Sequence, residues 1–381
     1  MFKKKFSPFT LIILCLVCAL AASATVILLG VNYVGGRDGV DAVAKYATVR
    51  HILQNRYIGD IDPEAMDDAV YSAMVESIDD RWSYYMTADE YESYKLYVKN
   101  QYSGIGVTIQ QDEETSGLLV ASVTEDSPAE AAGIVAGDIM TAINGEDLTG
   151  KTTGDVRDII QGAEGTEISV TLLRADGTTA TVDVTPGVVY TSPVTSELLD
   201  GDIGYIRIKN FEEGCADAAI AAIDELRDQG AKSIIFDVRS NPGGLVSQLT
   251  KLLDYILPEG DIFVSCNKEG KESVTKSDAF CVELPMVVLF NADSYSAAEF
   301  FAAALKEYDW ASTVGEQSTG KGRSQITINL ADGSAVHIST NVYLTPDRVD
   351  LSKVGGLTPD YPVENSTEND AQLQKAIEIL S

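Results

Sequence analysis

One stretch decides the fold of the longest region: SIIFDVRSNPGG, residues 233–244. Its first part, Ser233 to Val238, is a continuous apolar run of strand length, and the Asn-Pro-Gly-Gly that follows is a tight turn. The next residues, Leu245 to Leu257, predict a helix. A strand that is apolar on both faces must be covered on both faces, so this stretch predicts a buried strand inside a layered α/β sheet.

The same alternation of strands and helices extends on either side of this stretch. Before it, Ile203 to Ile208 predicts a strand and Ala216 to Asp228 a helix. After it, Met286 to Phe290 predicts a strand and Ala297 to Tyr308 a helix. Such sheets place their chemistry where strands end and helices begin, so candidate residues are expected there.

Ser296 follows the strand Met286–Phe290 and starts the next predicted helix. The unpaired N–H groups of a helix start stabilise the oxyanion that forms when a serine attacks a carbonyl, so Ser296 is a candidate nucleophile. Two alternatives stay open at this point. Residues 296–299 also form a capping box, and Ser294 is an equal rival for the nucleophile.

Lys321 lies between two glycines just before a predicted strand, Arg323 to Ile328. A lysine buried in a dry cleft loses part of its preference for the charged form, which makes it a usable general base. If the segment is extended, Gln325 faces the same side as Lys321 and can hold its amine in place. The alternatives are an exposed loop lysine and a solvated strand glutamine.

The turn Asn241-Pro242-Gly243-Gly244 offers further backbone donors at the end of the buried strand. The N–H of Gly243 or of Gly244 is a candidate second oxyanion donor, and a plain tight turn is the alternative. Asp237 and Arg239, just before the turn, are predicted to form an ion pair that holds it, with ordinary surface charge as the alternative.

Residues 315–321 have the G-x-x-x-x-G-K spacing of a phosphate-binding P-loop. That motif requires a Ser or Thr next, where this chain has Gly322, and a helix afterwards, where the sequence alternates like a strand. A nucleotide-binding function is therefore disfavoured.

Short strands and turns replace the α/β pattern from about Ser103 to Pro186. This region resembles a PDZ domain, on the loop Gly104-Ile105-Gly106-Val107, on residues 127–133 and on residues 137–145. Glycines let backbone N–H groups approach the terminal carboxylate of a peptide, and an exposed edge strand accepts the peptide by β-augmentation. The resemblance implies a mostly β domain with two helices whose loop Gly104–Val107 binds peptide.

Three stretches carry a family resemblance: residues 237–244, residues 294–299, and Gly320-Lys321-Gly322 with Gln325. Together they resemble the carboxyl-terminal processing peptidases, which are exported Ser/Lys proteases with an inserted PDZ domain. The resemblance covers nearly all of the chain after the N-terminal apolar segment, including the helical stretch Tyr46–Tyr94 and residues 355–360. It implies that Ser296, not Ser294, is the nucleophile, that Lys321 is the general base and that Gln325 positions the lysine. It also implies an oxyanion hole made by the N–H of Ala297 and of Gly243 or Gly244, and a crotonase-like α/β protease core.

The chain departs from the family pattern at three positions. Tyr295 stands where relatives have a small residue beside the nucleophile, and its bulk narrows the site. Ala298 replaces a serine. Gln161 stands where many relatives carry a basic residue, which argues against a charge-based coupling between PDZ domain and protease.

The charge balance argues against nucleic acid as a partner. Basic residues number 28 and acidic residues 58, a formal net charge of -30, and phosphate backbones repel such a surface. Only two histidines are present, so any Ser-His-Asp arrangement must use His51 or His337. His51 is expected to be a packed or half-buried helix residue, and no cofactor or metal is implied.

The N-terminus predicts the compartment. Lys3, Lys4 and Lys5 precede an apolar run from Leu11 to Val31 that is long enough to span a bilayer, with a cytoplasmic start. Because Ala22-Ser23-Ala24 resembles a cleavage site, a cleaved signal peptide is the alternative. The run continues past that site, which favours an uncleaved anchor with the remainder outside the cytoplasm.

Four regions follow from these patterns: a cytoplasmic tail and anchor (1–36), a helical region (37–100), a PDZ domain (101–188) and a protease core with its C-terminal segment (189–381). We expect a membrane-anchored serine endopeptidase of the cell envelope, secreted if the anchor is cleaved, that captures protein substrates by their free C-termini. The alternative is an inactive PDZ scaffold that binds C-terminal peptides. A homodimer is left open.

Overall fold

The computed structural model describes residues 8–112, 115–161, 163, 165–365 and 369–381. Lys3, Lys4 and Lys5 of the predicted cytoplasmic tail lie outside this part. The chain divides between Met74 and Val75 into two compact units.

The first unit is helical. Its helices are α1 (Pro8–Tyr33), α2 (Gly36–Arg56) and α3 (Pro63–Glu76). Ile12–Tyr33 within α1 is long and apolar enough to cross a membrane. His51 on α2 is exposed, so the prediction of a packed or half-buried histidine is wrong. Helical spacing shows which side chains share a face, but not whether another element covers that face.

Residues expected to be only helical also contain a short strand. β1 (Tyr84–Met86) precedes α4 (Ala88–Val98) and pairs antiparallel with the distant strand Ala335–Leu344. A three-residue strand is too short to show a periodic pattern, and it is selected by a partner about 250 residues away. This pairing brings Tyr84 opposite His337.

The region with the PDZ-like pattern forms its own sheet and core. Its elements are β2 (Gln101–Gly104), β3 (Val107–Gln111), β4 (Leu118–Val123), α5 (Pro128–Ala131), β5 (Ile139–Ile143), β6 (Glu146–Asp147), α6 (Thr153–Gln161), β7 (Ile168–Leu173), β8 (Thr179–Val184) and β9 (Gly187–Tyr190). The sheet order is β3-β4-β5-β7-β8, with β6 paired to β5, while β2 pairs with β9. β3 is therefore an edge strand.

The remaining region begins as an α/β sheet, as predicted. Its elements are β10 (Val194–Leu199), β11 (Ile203–Ile208), α7 (Cys215–Asp228), β12 (Ser233–Asp237), α8 (Val246–Ile256), β13 (Gly260–Asn267), β14 (Glu272–Ser277), β15 (Met286–Phe290), α9 (Ala297–Glu307), β16 (Ala311–Gly315), β17 (Arg323–Asn329), β18 (Ala335–Leu344), α10 (Leu351–Val354), β19 (Tyr361–Pro362) and α11 (Ala371–Leu380). The main sheet runs β10-β11-β12-β15-β16-β19 and is parallel from β11 onward.

This sheet is buried on both faces, which explains the uninterrupted apolar strands. Every residue of β12 and β15 is buried. Helices α7, α8 and α9 pack on one face and α11 on the other. A second sheet, β1-β18-β13-β14 with β17 on β18, carries the segment after Lys321. The carboxyl ends of β12, β15 and β16 lie side by side. The three loops that follow these strands hold the candidate residues.

Candidate active site

Ser296 sits at a strained turn between β15 and α9. Its backbone has φ 60° and ψ −124°, a conformation that non-glycine residues rarely adopt. Such strain persists only where the surroundings enforce it, and it often marks a functional position. The side chain lines a cleft of about 460 Å³ at the carboxyl edge of the sheet.

The structure separates the two rival serines. Ser294 is fully buried, its hydroxyl donates to Val238 O at 2.7 Å, and it accepts from the Asn291 N–H at 3.0 Å. Those bonds use the hydroxyl to hold the loop. Ser296, by contrast, lines the cleft, so it alone of the pair has access to a substrate.

Glu299 is a buried carboxylate that ties the nucleophile turn to the lysine loop. It accepts hydrogen bonds from Ser296 N–H (2.9 Å), the Ser318 hydroxyl (2.5 Å), Gly320 N–H (2.5 Å) and Lys321 N–H (2.9 Å). Its side chain is fully buried. The capping box predicted from the sequence is thus only part of the role of Glu299, because the same side chain also binds the backbone of Lys321.

Lys321 is held half-buried beside aromatic rings. Its Nζ lies 4.5 Å from the Trp82 ring centroid and 6.0 Å from that of Tyr295. Burial lowers the pKa of Lys321 to about 8, although the charges of Asp80, Glu299 and Glu212 oppose this shift and that of Arg81 favours it. No hydrogen bond joins the Lys321 amine to the Ser296 hydroxyl among the described residues.

Tyr343 lines the cleft next to both residues. Its hydroxyl donates to the Lys321 carbonyl oxygen. Burial raises the pKa of Tyr343 strongly, while a hydrogen bond with the Ser296 hydroxyl lowers it. The ring is therefore a neutral phenol that contacts both residues.

The Gly243-Gly244 pair lies against the nucleophile. Gly243 has φ +89°, and a Cβ there would lie 2.7 Å from Ser296 Cβ and 2.9 Å from Ala297 N, so only glycine fits. The Gly243 N–H donates to Asn241 Oδ1 at 2.8 Å. The Gly244 N–H has no acceptor in the part of the chain that the structure describes, and Gly244 lines the cleft together with Ala297.

Asp237 and Arg239 form the predicted ion pair, with Nη2 and Oδ2 2.6 Å apart. Arg239 also pairs with Asp370 at the start of α11, with Nη1 and Oδ1 2.7 Å apart. Asp237 further accepts from the Tyr205 hydroxyl at 2.6 Å. The pair therefore fastens the turn at residues 241–244 to the C-terminal helix, which sequence reasoning did not foresee.

Gln325 lines the same cleft as Lys321. Its amide donates to Ser339 Oγ at 2.9 Å and to the Arg323 carbonyl oxygen at 3.1 Å. The strand pairing shifts register between Ser324 and Gln325. Gln325 is thus brought near the lysine, but its donor group is held by β18.

The loop Gly104–Val107 lies in a separate groove of about 510 Å³ between β3 and α6. All four residues line it, and Ile105 is buried. Gly106 has φ +88°, and a Cβ there would lie 2.2 Å from Ser127 Cβ, so the loop requires glycine. The groove runs along an edge strand, as peptide addition requires.

Comparisons with known proteins identify the families of the two regions that hold these sites. A model of peptidase family S41 matches residues 202–363, and a PDZ domain model matches residues 119–174. The carboxyl-terminal-processing protease of Synechocystis sp. is 30% identical over 348 residues, which cover 87% of this chain and 81% of the relative. The chain belongs to the carboxyl-terminal processing proteases of family S41.

Two further relatives show the extent of the likeness. The carboxy-terminal processing protease CtpA of Bacillus subtilis is 32% identical over 305 residues, and the match spans 80% of this chain but 65% of that protein. A solved structure of a photosystem II D1 C-terminal processing protease has a TM-score of 0.51 and 26% identity, and covers 88% of this chain and 90% of that one. As an S41 peptidase, this chain is a serine protease with a PDZ domain.

Sequence reasoning missed several residues that line the cleft of this S41 peptidase. Trp82 and Tyr84 come from the loop after α3 and from β1, and Tyr94 and Tyr97 come from α4. The only hint was the density of aromatic residues between Trp82 and Tyr97. These residues make the region before the PDZ domain one wall of the cleft.

His337 also lines this cleft, although the sequence gave no reason to place it there. Its ring stacks on Tyr84 at 4.8 Å, and its Nδ1 lies 2.9 Å from the Thr327 hydroxyl. Burial, and then the charge of Lys321, lower the pKa of His337 to about 4. The ring is therefore neutral at pH 7, and no hydrogen bond connects it to Ser296 among the described residues.

The P-loop spacing at residues 315–321 is not followed by a helix. β17 (Arg323–Asn329) comes next and pairs with β18. Ser318 and Leu357 exchange hydrogen bonds of 3.1 Å and 2.8 Å, which fix this loop against the C-terminal segment. A Cβ on Gly320 would lie 2.8 Å from Gly356 N, so this glycine permits the close packing.

Proposed function

We propose that this peptidase is an exported, membrane-anchored endopeptidase with a Ser296/Lys321 dyad. The observation that carries the proposal is Glu299, which binds the backbone of both residues and so fixes the nucleophile turn and the lysine loop on either side of one cleft. Each chemical role then follows from the surroundings already described.

The reaction needs only the groups that line the cleft. The Ser296 oxygen bonds to the scissile carbonyl carbon while the neutral Lys321 amine takes the hydroxyl proton. The amine then gives that proton to the leaving peptide nitrogen as the C–N bond breaks, leaving an acyl-enzyme. Water attacks the ester, Lys321 takes a proton from it, and the Ser296 hydroxyl is restored as the acid product leaves.

Lys321 reaches Ser296 by leaving the aromatic face on which it rests. Side-chain rotation moves the amine from the Trp82 ring toward the hydroxyl when a substrate displaces water from the cleft. Hydrogen bonds of this type commonly tighten only in the substrate complex. Gln325 positions the amine in that state, after exchanging its bond to Ser339.

The oxyanion hole is assigned to the N–H groups of Ala297 and Gly244. The first N–H of a helix has no partner within the helix, and Ala297 is the first residue of α9. Gly244 is favoured over Gly243 because the Gly243 N–H is already bound by Asn241. Gly243 contributes the space that lets the two loops approach.

The groove at Gly104–Val107 is proposed to bind the C-terminal tail of a protein substrate. Backbone N–H groups of this loop hold the carboxylate, and the tail adds to the edge strand β3. Recruitment of the tail raises the local concentration of the rest of the substrate at the cleft.

We propose the organisation that the sequence predicts: tail and anchor (1–36), helical region (37–100), PDZ domain (101–188) and a crotonase-like protease core (189–381). The apolar helix Ile12–Tyr33 is the proposed anchor. We assign the remainder to the outer side of the bacterial membrane, with a homodimer as a further possibility to be tested by sedimentation.

A fluorophosphonate probe tests the dyad directly. We expect the probe to label the wild-type protein at Ser296, because it reacts with serines that have an activated hydroxyl. Ser296→Ala should abolish labelling, whereas Ser294→Ala should keep it per mole of folded protein. Failure of the wild type to label or to digest casein would favour the inactive PDZ scaffold.

Filling the PDZ groove is expected to weaken tail recognition. Gly154 lines the groove, and a Cβ there meets only Thr152 Oγ1 at 3.5 Å and Arg157 Nη2 at 4.0 Å within 4 Å, so a side chain is tolerated. Gly154→Trp should raise the Kd for a C-terminal peptide by about tenfold or more. Gly154→Ala is the matched control, and equal Kd values for both variants would contradict peptide binding in this groove.

A further inference from the structure

Glu212 is a buried carboxylate at the cleft to which the proposed mechanism gives no task. It lies between β11 and α7, lines the cleft and is 6% exposed. Its neighbour Glu213 is exposed. Acidic side chains are seldom buried to this degree unless they are paired, so an unpaired one is a candidate for binding a ligand.

One oxygen of this carboxylate has no protein partner in the described part of the chain. Glu212 Oε2 has no hydrogen-bond partner among the described residues. The two cations of the cleft, Arg81 and Lys321, both lie over the Trp82 ring, at 4.1 Å and 4.5 Å, and neither forms an ion pair with Glu212 in the part of the chain described. His337 is neutral at pH 7. A buried acceptor without a donor costs stability unless a ligand supplies the donor.

Three tyrosine rings line the same cleft as the carboxylate. Tyr84, Tyr94 and Tyr97 line it, and the charge of Glu212 contributes, after burial, to the raised pKa of each. Ring faces attract cations, and Glu212 adds an opposite charge when it is ionised. Burial raises the pKa of Glu212 to about 7, and a cation bound beside it favours the ionised form. Acid and aromatic faces together make a site suited to an ammonium or guanidinium group.

The position of Glu212 relates this site to the scissile bond. Phe211 and Gly244 form a parallel bridge, with Leu245 N–H donating to Phe211 O at 2.8 Å. A Cβ on Gly244 would lie 2.9 Å from Glu212 N. Gly244 is the assigned oxyanion donor. The backbone of Glu212 therefore lies against the residue that binds the carbonyl under attack.

On the basis of the proposed function, we infer that Glu212 and the three tyrosines form a subsite for a basic side chain, lysine or arginine, of the substrate residue next to the scissile bond. The long apolar stem of that side chain packs on the rings while its charged end pairs with the carboxylate. The cleft thereby selects cleavage sites by charge, independently of the C-terminal tail held in the PDZ groove.

The test compares paired peptides with the full-length protein. Cleavage sites in a peptide mixture are mapped by mass spectrometry, and peptides are then made with lysine or norleucine on each side of the scissile bond. We expect the wild type to prefer lysine at one of the two positions, and Glu212→Gln to reduce the kcat/KM ratio of lysine to norleucine by about 10- to 100-fold. Glu213→Gln, which removes the same charge one residue away, should leave the ratio unchanged.

Binding measurements distinguish a failure of this inference from a failure of the proposed function. The same peptides are titrated against Ser296→Ala with and without Glu212→Gln. A lysine preference that disappears with Glu212→Gln supports the subsite even if the wild type cleaves no peptide, a result that would reject only the protease assignment. Equal affinity for lysine and norleucine, or a preference that survives Glu212→Gln, overturns the subsite.

Discussion

Replacing Lys321 with methionine is expected to lower kcat toward a peptide substrate by about 10⁴-fold or more, because the Ser296 hydroxyl then has no proton acceptor. Methionine keeps the length and the apolar stem that contacts Trp82, so the fold should be retained. The measurement is steady-state hydrolysis alongside a thermal melt. Lys353→Met is the matched control, since its side chain is 81% exposed and should be replaceable without loss.

The pH dependence of the wild type gives the same test without a mutation. With the pKa of Lys321 at about 8, the amine is protonated and inactive below that value and neutral above it. We therefore expect kcat/KM to rise about tenfold per pH unit up to about pH 8 and then to level off. A profile centred near pH 4, where His337 titrates, would instead indicate a histidine mechanism.

Replacing Glu299 with leucine is expected to be the most destabilising change in the site. It leaves Ser296 N–H, the Ser318 hydroxyl, Gly320 N–H and Lys321 N–H buried without an acceptor. At about 1–3 kcal/mol for each unmade bond, the loss is several kcal/mol of unfolding free energy. Glu299→Gln keeps one acceptor oxygen and should lose about half as much, which denaturant titration will show.

Glu299 is a positioning residue, so its effect on catalysis should exceed its effect on the population of folded protein. We expect Glu299→Gln to lower kcat by about 10²-fold per folded molecule, because a small displacement of Ser296 from Lys321 is costly. Glu307→Gln, on the same helix but outside the cleft, is the control. Normal kcat in folded Glu299→Gln would show that the carboxylate only stabilises the fold.

The local sequence pattern was enough to predict most helices and strands of this chain. Met286 to Phe290 and Ile203 to Ile208 form strands over the predicted residues, since a short run dominated by apolar and β-branched residues leaves few alternatives. The Gly-rich loops were recognisable because their glycines meet other backbone closely, as Gly243 does at Ser296. The three-residue strand β1 was missed because its stability comes from pairing with β18.

The sequence by itself determined the α/β alternation, the PDZ-like loop and the small set of residues that contains Ser296 and Lys321, because each depends on neighbours within about ten positions. Only the tertiary structure decided which serine lines the cleft, which glycine keeps a free N–H, and that Trp82, Glu212 and Glu299 surround the dyad. Those outcomes depend on contacts between residues as far as about 240 positions apart, and their energies come from burial and from hydrogen bonds that form only when the chain is folded.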